Sequence, residues 1–102
     1  MPLSGGEINP NMTSEFINET IVIDTDSRQT FVGTMIEADD CFIKLHDVCV
    51  YDAREAKVMQ EEFLVECAEI GLPTNRDEIL VKLDRIVAIT RLSDIIIPGK
   101  DN

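Results

Sequence analysis

The chain has 102 residues, 44% of them hydrophobic, and carries 20 acidic against nine basic side chains for a net charge of −11. This length fits one domain with a modest core, burying roughly 60–70% of the surface its unfolded chain exposes. The charge excludes a protein that coats phosphate non-specifically, because such binding depends on cations that displace counterions; any nucleic-acid site has to be small and locally basic.

Residues 1–14 form a lead-in, rich in Pro, Gly and Asn over its first twelve positions. Thr13 and Ser14 are suited to cap a very short helix over residues 15–18. From Thr20 to Asp24 the β-branched residues Ile21, Val22 and Ile23 predict a first strand. Asp24-Thr25-Asp26-Ser27-Arg28 predicts a turn, since Asp and Ser side chains bond their own backbone. A calcium loop is excluded there: the required sixth-position Gly is missing, and Arg28 stands where a ligand belongs.

Gln29–Ala38 predicts the second strand, with Phe31, Gly33 and Met35 on one face and Val32, Thr34 and Ile36 on the other. Both faces are largely apolar, as in a strand buried on two sides. A mid-strand glycine weakens packing unless the strand bends sharply there, so Gly33 marks a bend. After the polar break Glu37-Ala38-Asp39-Asp40, a third strand runs over Cys41–Tyr51. Cys41, Ile43 and Leu45 are expected on one side, and Phe42, Val48 and Val50 on the other. The alternation falters at His46-Asp47, which predicts a bulge or bend.

The period then changes. Ala56, Met59, Phe63, Cys67 and Ile70 recur at helical spacing. Asp52 is placed as N-cap with Glu55 three residues later, and Gly71 and Pro73 supply a stop. A helix over residues 53–70 follows, although Phe63-Val65-Cys67 also alternates as a strand would. Glu78–Leu83 and Ile86–Arg91 are the fourth and fifth strands, separated only by Asp84-Arg85. Ile95-Ile96-Ile97 is an apolar segment that needs covering, and residues 98–102 are a tail. The domain spans residues 15–97. Its fold class is mainly β: a small, five-stranded, strongly bent antiparallel barrel, SH3-like, with one inserted helix.

Cys41, Cys49 and Cys67 fit neither a disulfide framework nor a zinc site and read as small buried hydrophobes, in keeping with a reducing, cytoplasmic setting. The first ten residues have neither the basic region nor the apolar run of a signal peptide. No apolar stretch approaches the ~20 residues of a membrane span. His46 is the only histidine, and Cys49, three residues on in the same strand, is expected to face away from it. No catalytic constellation, metal-ligand spacing or cofactor loop is present, so no enzyme, metal or cofactor is expected.

Phe31, Gly33, Thr34, Met35 and Asp39, followed by Leu45-His46-Asp47, resemble the first motif of the Sm-like (Sm/LSm) family. Val81-Lys82-Leu83-Asp84-Arg85-Ile86 is similar to its second motif, and Ile86–Ile89 to its last strand. The resemblance covers residues 17–52 and 78–92. The sequence departs from the pattern in three ways. Asp39 and Leu45 are one residue closer than usual, no Asn lies between them, and Lys82-Leu83 stands for Arg-Gly. The resemblance implies a closed homo-oligomeric ring, with the fourth strand of one subunit pairing with the fifth of the next; about five to seven copies would close it. It also implies that the loops 39–44 and 82–85 face a pore where short single-stranded RNA, or DNA, is held without chemistry. On that basis Lys44, Lys82 and Arg85 are candidate phosphate ligands. Phe42 is a candidate stacking platform, and Asp39 belongs to the same loop. The alternative is a structural or protein-interaction ring without nucleic acid, its acidic faces turned to basic protein partners.

Overall fold

The computed structural model describes residues 13–71 and 73–99. The expectations for residues 1–12 and 100–102 lie outside the described residues. Among the described residues five strands are present: β1 (Thr20–Thr25), β2 (Gln29–Ala38), β3 (Phe42–Asp52), β4 (Arg76–Lys82) and β5 (Ile86–Arg91). One α-helix, α1 (Gln60–Glu69), is inserted between β3 and β4. Short 3-10 turns cover Ser14–Phe16, Leu83–Arg85 and Leu92–Asp94. The strands form one antiparallel sheet in the order β4-β3-β2-β1-β5.

The sheet bends where β2 meets β3. The register between them shifts twice, between Val32 and Thr34 and again between Met35 and Glu37. Opposite Gly33 the chain makes its compensating move: Asp47 takes a left-handed conformation, with φ +51, which is uncommon outside glycine and marks a local distortion. A Cβ on Gly33 would lie 3.1 Å from the His46 carbonyl oxygen and 3.1 Å from Val48 Cγ2. The glycine lets β3 approach at the bend.

This bulge corrects the expected faces of the third strand. Ile43 and Leu45 enter the main core, and so do Val48 and Val50, because the extra residue at Asp47 resets the alternation. Phe42 is therefore on the face opposite Val48. Cys49 shares the non-core face with His46, contrary to the expectation from simple alternation. The two still form no hydrogen-bonded pair. His46 Nε2 meets Glu78 Oε1 at 2.8 Å, and Cys49 is buried, which pushes its thiol pKa up. Cys67 is buried too, its pKa pushed up to about 11 by burial. Cys41, expected to be buried, is exposed.

Two apolar layers result. Inside the bend, Ile21, Ile23, Met35, Ile43, Leu45, Val48 and Val81 form the main core, with Phe16 and Ile89 packed against it. On the other face, Val22 and Val32 pack under Leu64 of α1, with Phe63, Leu92 and Ile95 around them. The tail segment is thus partly covered through Ile95, while Ile96 stays exposed.

The helix is shorter than predicted. It begins at Gln60, not at residue 53, and Asp52 closes β3 instead of capping α1. The Asp52 carboxylate accepts hydrogen bonds from Arg54 N (2.9 Å), Nε (3.0 Å) and Nη2 (2.7 Å), which folds the chain into a turn. The Tyr51 hydroxyl then donates to the Val58 carbonyl at 2.7 Å and holds the connector against the sheet. Gln60 anchors the helix start by donating to Asp24 Oδ1 and Thr30 Oγ1. The buried stripe is also rotated from that expected: Leu64 and Cys67 are buried, while Met59 and Ile70 are exposed. Gly71, with φ +123, ends the helix as predicted.

The Arg54 guanidinium and its backbone N–H hold the Asp52 carboxyl down to about 2. A depressed folded-state pKa contributes stability above the ordinary carboxylate range and loses it as pH falls through the folded value. We expect an NMR titration to show Asp52 ionising near 2 in the native chain and at a higher pH in Arg54→Ala, still below the ordinary carboxylate range because the backbone N–H at position 54 remains. An unchanged Asp52 pKa in that variant would contradict the assigned cause.

Candidate functional site

The sequence-derived candidates lie where the β2–β3 turn meets the end of β4. Asp39 organises the turn. Its Oδ1 accepts from the backbone N–H groups of Cys41 and Phe42, both at 2.8 Å, and its own N–H donates to the Phe42 carbonyl at 3.0 Å. An Asp is selected here because a short carboxylate can satisfy the backbone donors that a tight turn leaves free. The same N–H groups, Cys41 first, lower its pKa. The β4 end is attached to this turn by Leu83 N–H donating to the Cys41 carbonyl at 2.9 Å, and Phe42 sits opposite Lys82 in the register.

Strand alternation then places side chains on one face. Phe42, Lys44 and His46 project from β3 on the non-core side, opposite Lys82, Leu80 and Glu78 of β4 respectively. Glu37 of β2 stands opposite Lys44, and their side chains pair at 3.1 Å. The hydrogen bond and charge of Glu37 raise the Lys44 pKa, with a smaller push from Glu78. Glu37, Ala38, Asp39, Phe42, Lys44 and Leu80 line a cleft of about 260 Å³. Lys44 thus lies within β3, not in a loop.

The structure brings four of the five candidates together, Asp39, Phe42, Lys44 and Lys82. Arg85 turns elsewhere: its Nε donates to Asp26 Oδ1 at 3.0 Å, and its carbonyl accepts from Asp26 N–H at 3.0 Å. It is a strut between the β4–β5 turn and the β1–β2 turn. Lys82 Nζ is 4.0 Å from Asp84 Oδ2. These pairs are largely solvent-exposed and therefore weak, so each cation can exchange partners at little cost. Arg28, in the first turn, is exposed.

Glu37 and Leu80 were missed from sequence. Leu80 had a readable signal, since it lies two residues before Lys82 and so shares its face. Glu37 had none, because its position depends on the register shift beyond Met35. Among the described residues no group of His, Cys, Asp and Glu is arranged to hold a metal, and no helix is long and apolar enough to cross a membrane.

At the level of the whole fold, the chain superposes on solved structures of archaeal proteins. One is a Pyrococcus abyssii Sm protein in complex with a uridine heptamer, matched with a TM-score of 0.56 at 14% identity, over 83% of this chain and 99% of that one. The fold is Sm-like. A second Sm-like protein, from Archaeoglobus fulgidus, matches with a TM-score of 0.54 at 19% identity, over 85% of this chain and 99% of that one. No protein-family model matches the sequence, and no curated protein does either. The Sm-like fold is therefore carried by strand order, bend and register, with few shared residues. Within it α1 covers the non-core face of β1 and β2 through Leu64.

Proposed function

We propose that the chain is a subunit of a closed homo-oligomeric ring that binds short single-stranded RNA and performs no chemistry of its own. The observation that carries the binding is the gathering of Phe42, Lys44 and Lys82 on one sheet face, around a cleft floored by Phe42 and Leu80. An aromatic ring flanked by ammonium groups suits a stacked base with its phosphates, and each such stack is typically worth ~1–3 kcal/mol. Repetition around a ring multiplies these few cations although the whole chain is acidic. The uridine heptamer held by the Pyrococcus Sm protein supports the ligand class. Asp39 acts here by shaping the turn that presents Phe42.

The ring is supported by the sheet order. β4 and β5 are the two edges, and each presents a large exposed apolar side chain, Leu80 at 55% and Val87 at 69% exposure. Unpaired edges of this kind are satisfied by pairing with another chain, and a head-to-tail contact that closes gives a ring.

A second reading has one observation in its favour. Lys44, Lys82 and Arg85 each already face a carboxylate, which suits a ring that serves protein partners through its acidic surfaces. Fluorescence anisotropy with short labelled RNAs separates the two. Binding that weakens with salt, and falls about tenfold or more when Lys44 and Lys82 are both changed to alanine, is the expected result. Arg85→Ala should weaken it less, because that side chain lies at the β1–β2 turn beside Asp26, away from the cleft. Absence of binding even at low salt would remove the RNA reading and leave the protein-interaction ring.

A further inference from the structure

The cleft beside Phe42 is lined in a way that bears on which base it takes, given the RNA reading above. At about 260 Å³ it lies just below the range of drug-sized pockets, roughly 300–1,000 Å³, and suits one flat ring. Phe42, Ala38 and Leu80 supply apolar surface, and the polar rim consists of Glu37, Asp39 and Lys44. Lys44 is engaged by Glu37 Oε1. Asp39 Oδ1 is engaged by two backbone N–H groups, which fix the carboxylate in place. Among the described residues, the hydrogen bonds and ion pair of these carboxylates fall on Asp39 Oδ1 and Glu37 Oε1, leaving the second oxygen of each to accept from a ligand. Ionised carboxylates only accept hydrogen bonds, so the rim asks its ligand for N–H donors.

Bases differ in what they offer such a rim. Adenine, cytosine and guanine carry an exocyclic amine. Uracil carries carbonyl oxygens at the corresponding edge, and its single N–H lies between two of them. A carboxylate brought to that edge meets like partial charge, whereas a carboxylate accepting from the cytosine amine is an established pairing. We propose that this cleft selects a nucleobase bearing an exocyclic amine, with Glu37 and Asp39 as the acceptors that discriminate against uracil. Phe42 stacks on the base, and Lys44 and Lys82 meet the flanking phosphates. The ligand class is then single-stranded RNA rich in adenosine, cytidine or guanosine, a preference different from the uridine ligand of the Pyrococcus protein.

The test is anisotropy of the full chain at low salt with labelled six-nucleotide oligo(A), oligo(C) and oligo(U). Cytidine against uridine is the deciding comparison, because the two pyrimidines present similar stacking surfaces. Oligo(C) and oligo(A) are expected to bind about fivefold or more tightly than oligo(U), the low end for one base contact. In the double variant Glu37→Gln with Asp39→Asn, the oligo(C) preference is expected to shrink to about twofold or less. The asparagine carbonyl can still accept from Cys41 and Phe42, so the turn is retained, and a thermal melt verifies it. Asp39→Asn alone, which keeps the Glu37–Lys44 pair, is expected to narrow the preference in the same direction. Oligo(U) binding as tightly as oligo(C) to the wild type overturns this selectivity and leaves RNA binding standing. A preference unchanged in a folded double variant also overturns it. Failure of all three oligomers to bind overturns the RNA reading itself.

Discussion

Gly33→Val is expected to destabilise the fold by about 3 kcal/mol, at the upper end of what overpacking costs. Valine is otherwise favoured over glycine in a strand, so propensity alone predicts a gain. The geometry reverses the sign. The first added atom would lie 3.1 Å from the His46 carbonyl oxygen, 3.1 Å from Val48 Cγ2 and 3.3 Å from Val48 Cα. Two of these neighbours are backbone and cannot rotate away, and Val48 is fully buried. The strands would have to separate at the bend, where the Asp47 bulge already fixes the register. Gly33→Ala meets the same first contact with no branches and should cost about 1 kcal/mol. Urea denaturation of both variants checks the order. Against the typical total of about 5–15 kcal/mol, the valine loss is large. A midpoint equal to or above wild type would mean that the close approach does not constrain the bend.

The second large effect concerns assembly. Leu83 N–H and Asn75 N–H both donate to the β3 side, to the carbonyls of Cys41, just before the strand, and of Val48 within it. Antiparallel alternation then turns the N–H groups of Val81 and Ile79 toward β3, and those of Lys82, Leu80 and Glu78 toward the open edge. Leu80→Pro removes a donor only from that edge, the one place in a sheet where proline is tolerated. The subunit should stay folded while the ladder to the next subunit is interrupted at its centre. By sedimentation velocity we expect a closed oligomer of about five to seven copies for the wild type and a monomer for Leu80→Pro, with near-unchanged far-ultraviolet circular dichroism. An oligomer of the same size in the variant would remove β4 from the assembly.

What could be read in advance followed the physics of period. β2 and β5 were legible to the residue because alternation and β-branching are local signals. The helix stop at Gly71 was legible because the conformation there excludes most other residues. The helix start was not. Asp52 has the chemistry of an N-cap, yet the nearer Arg54 side chain and backbone claim its carboxylate. The faces of β3 beyond His46 were lost for a different reason. A bulge was foreseeable, but whether it resets the alternation depends on one left-handed residue, Asp47. At the site, the grouping of Phe42, Lys44 and Lys82 was expected only through the family resemblance, which sets their two loops side by side; the β3–β4 register is what brings them onto one face. The departure of Arg85 from that group was not legible, because its partner Asp26 is 59 positions away and nothing local links the two.

The connection between β4 and β5 is a single 3-10 turn, Leu83–Arg85, yet it joins the two outermost strands of a five-stranded sheet. Three residues of such a helix span only about 6 Å, so the sheet has to curl until its opposite borders nearly touch at that end. Each subunit of the proposed ring is then a wedge whose incoming and outgoing edges share one pivot, braced by the Asp26–Arg85 strut. In that proposed ring, the angle between those edges, repeated around the circle, would count the subunits, so the short turn and its brace would set the ring size while the strands only transmit it.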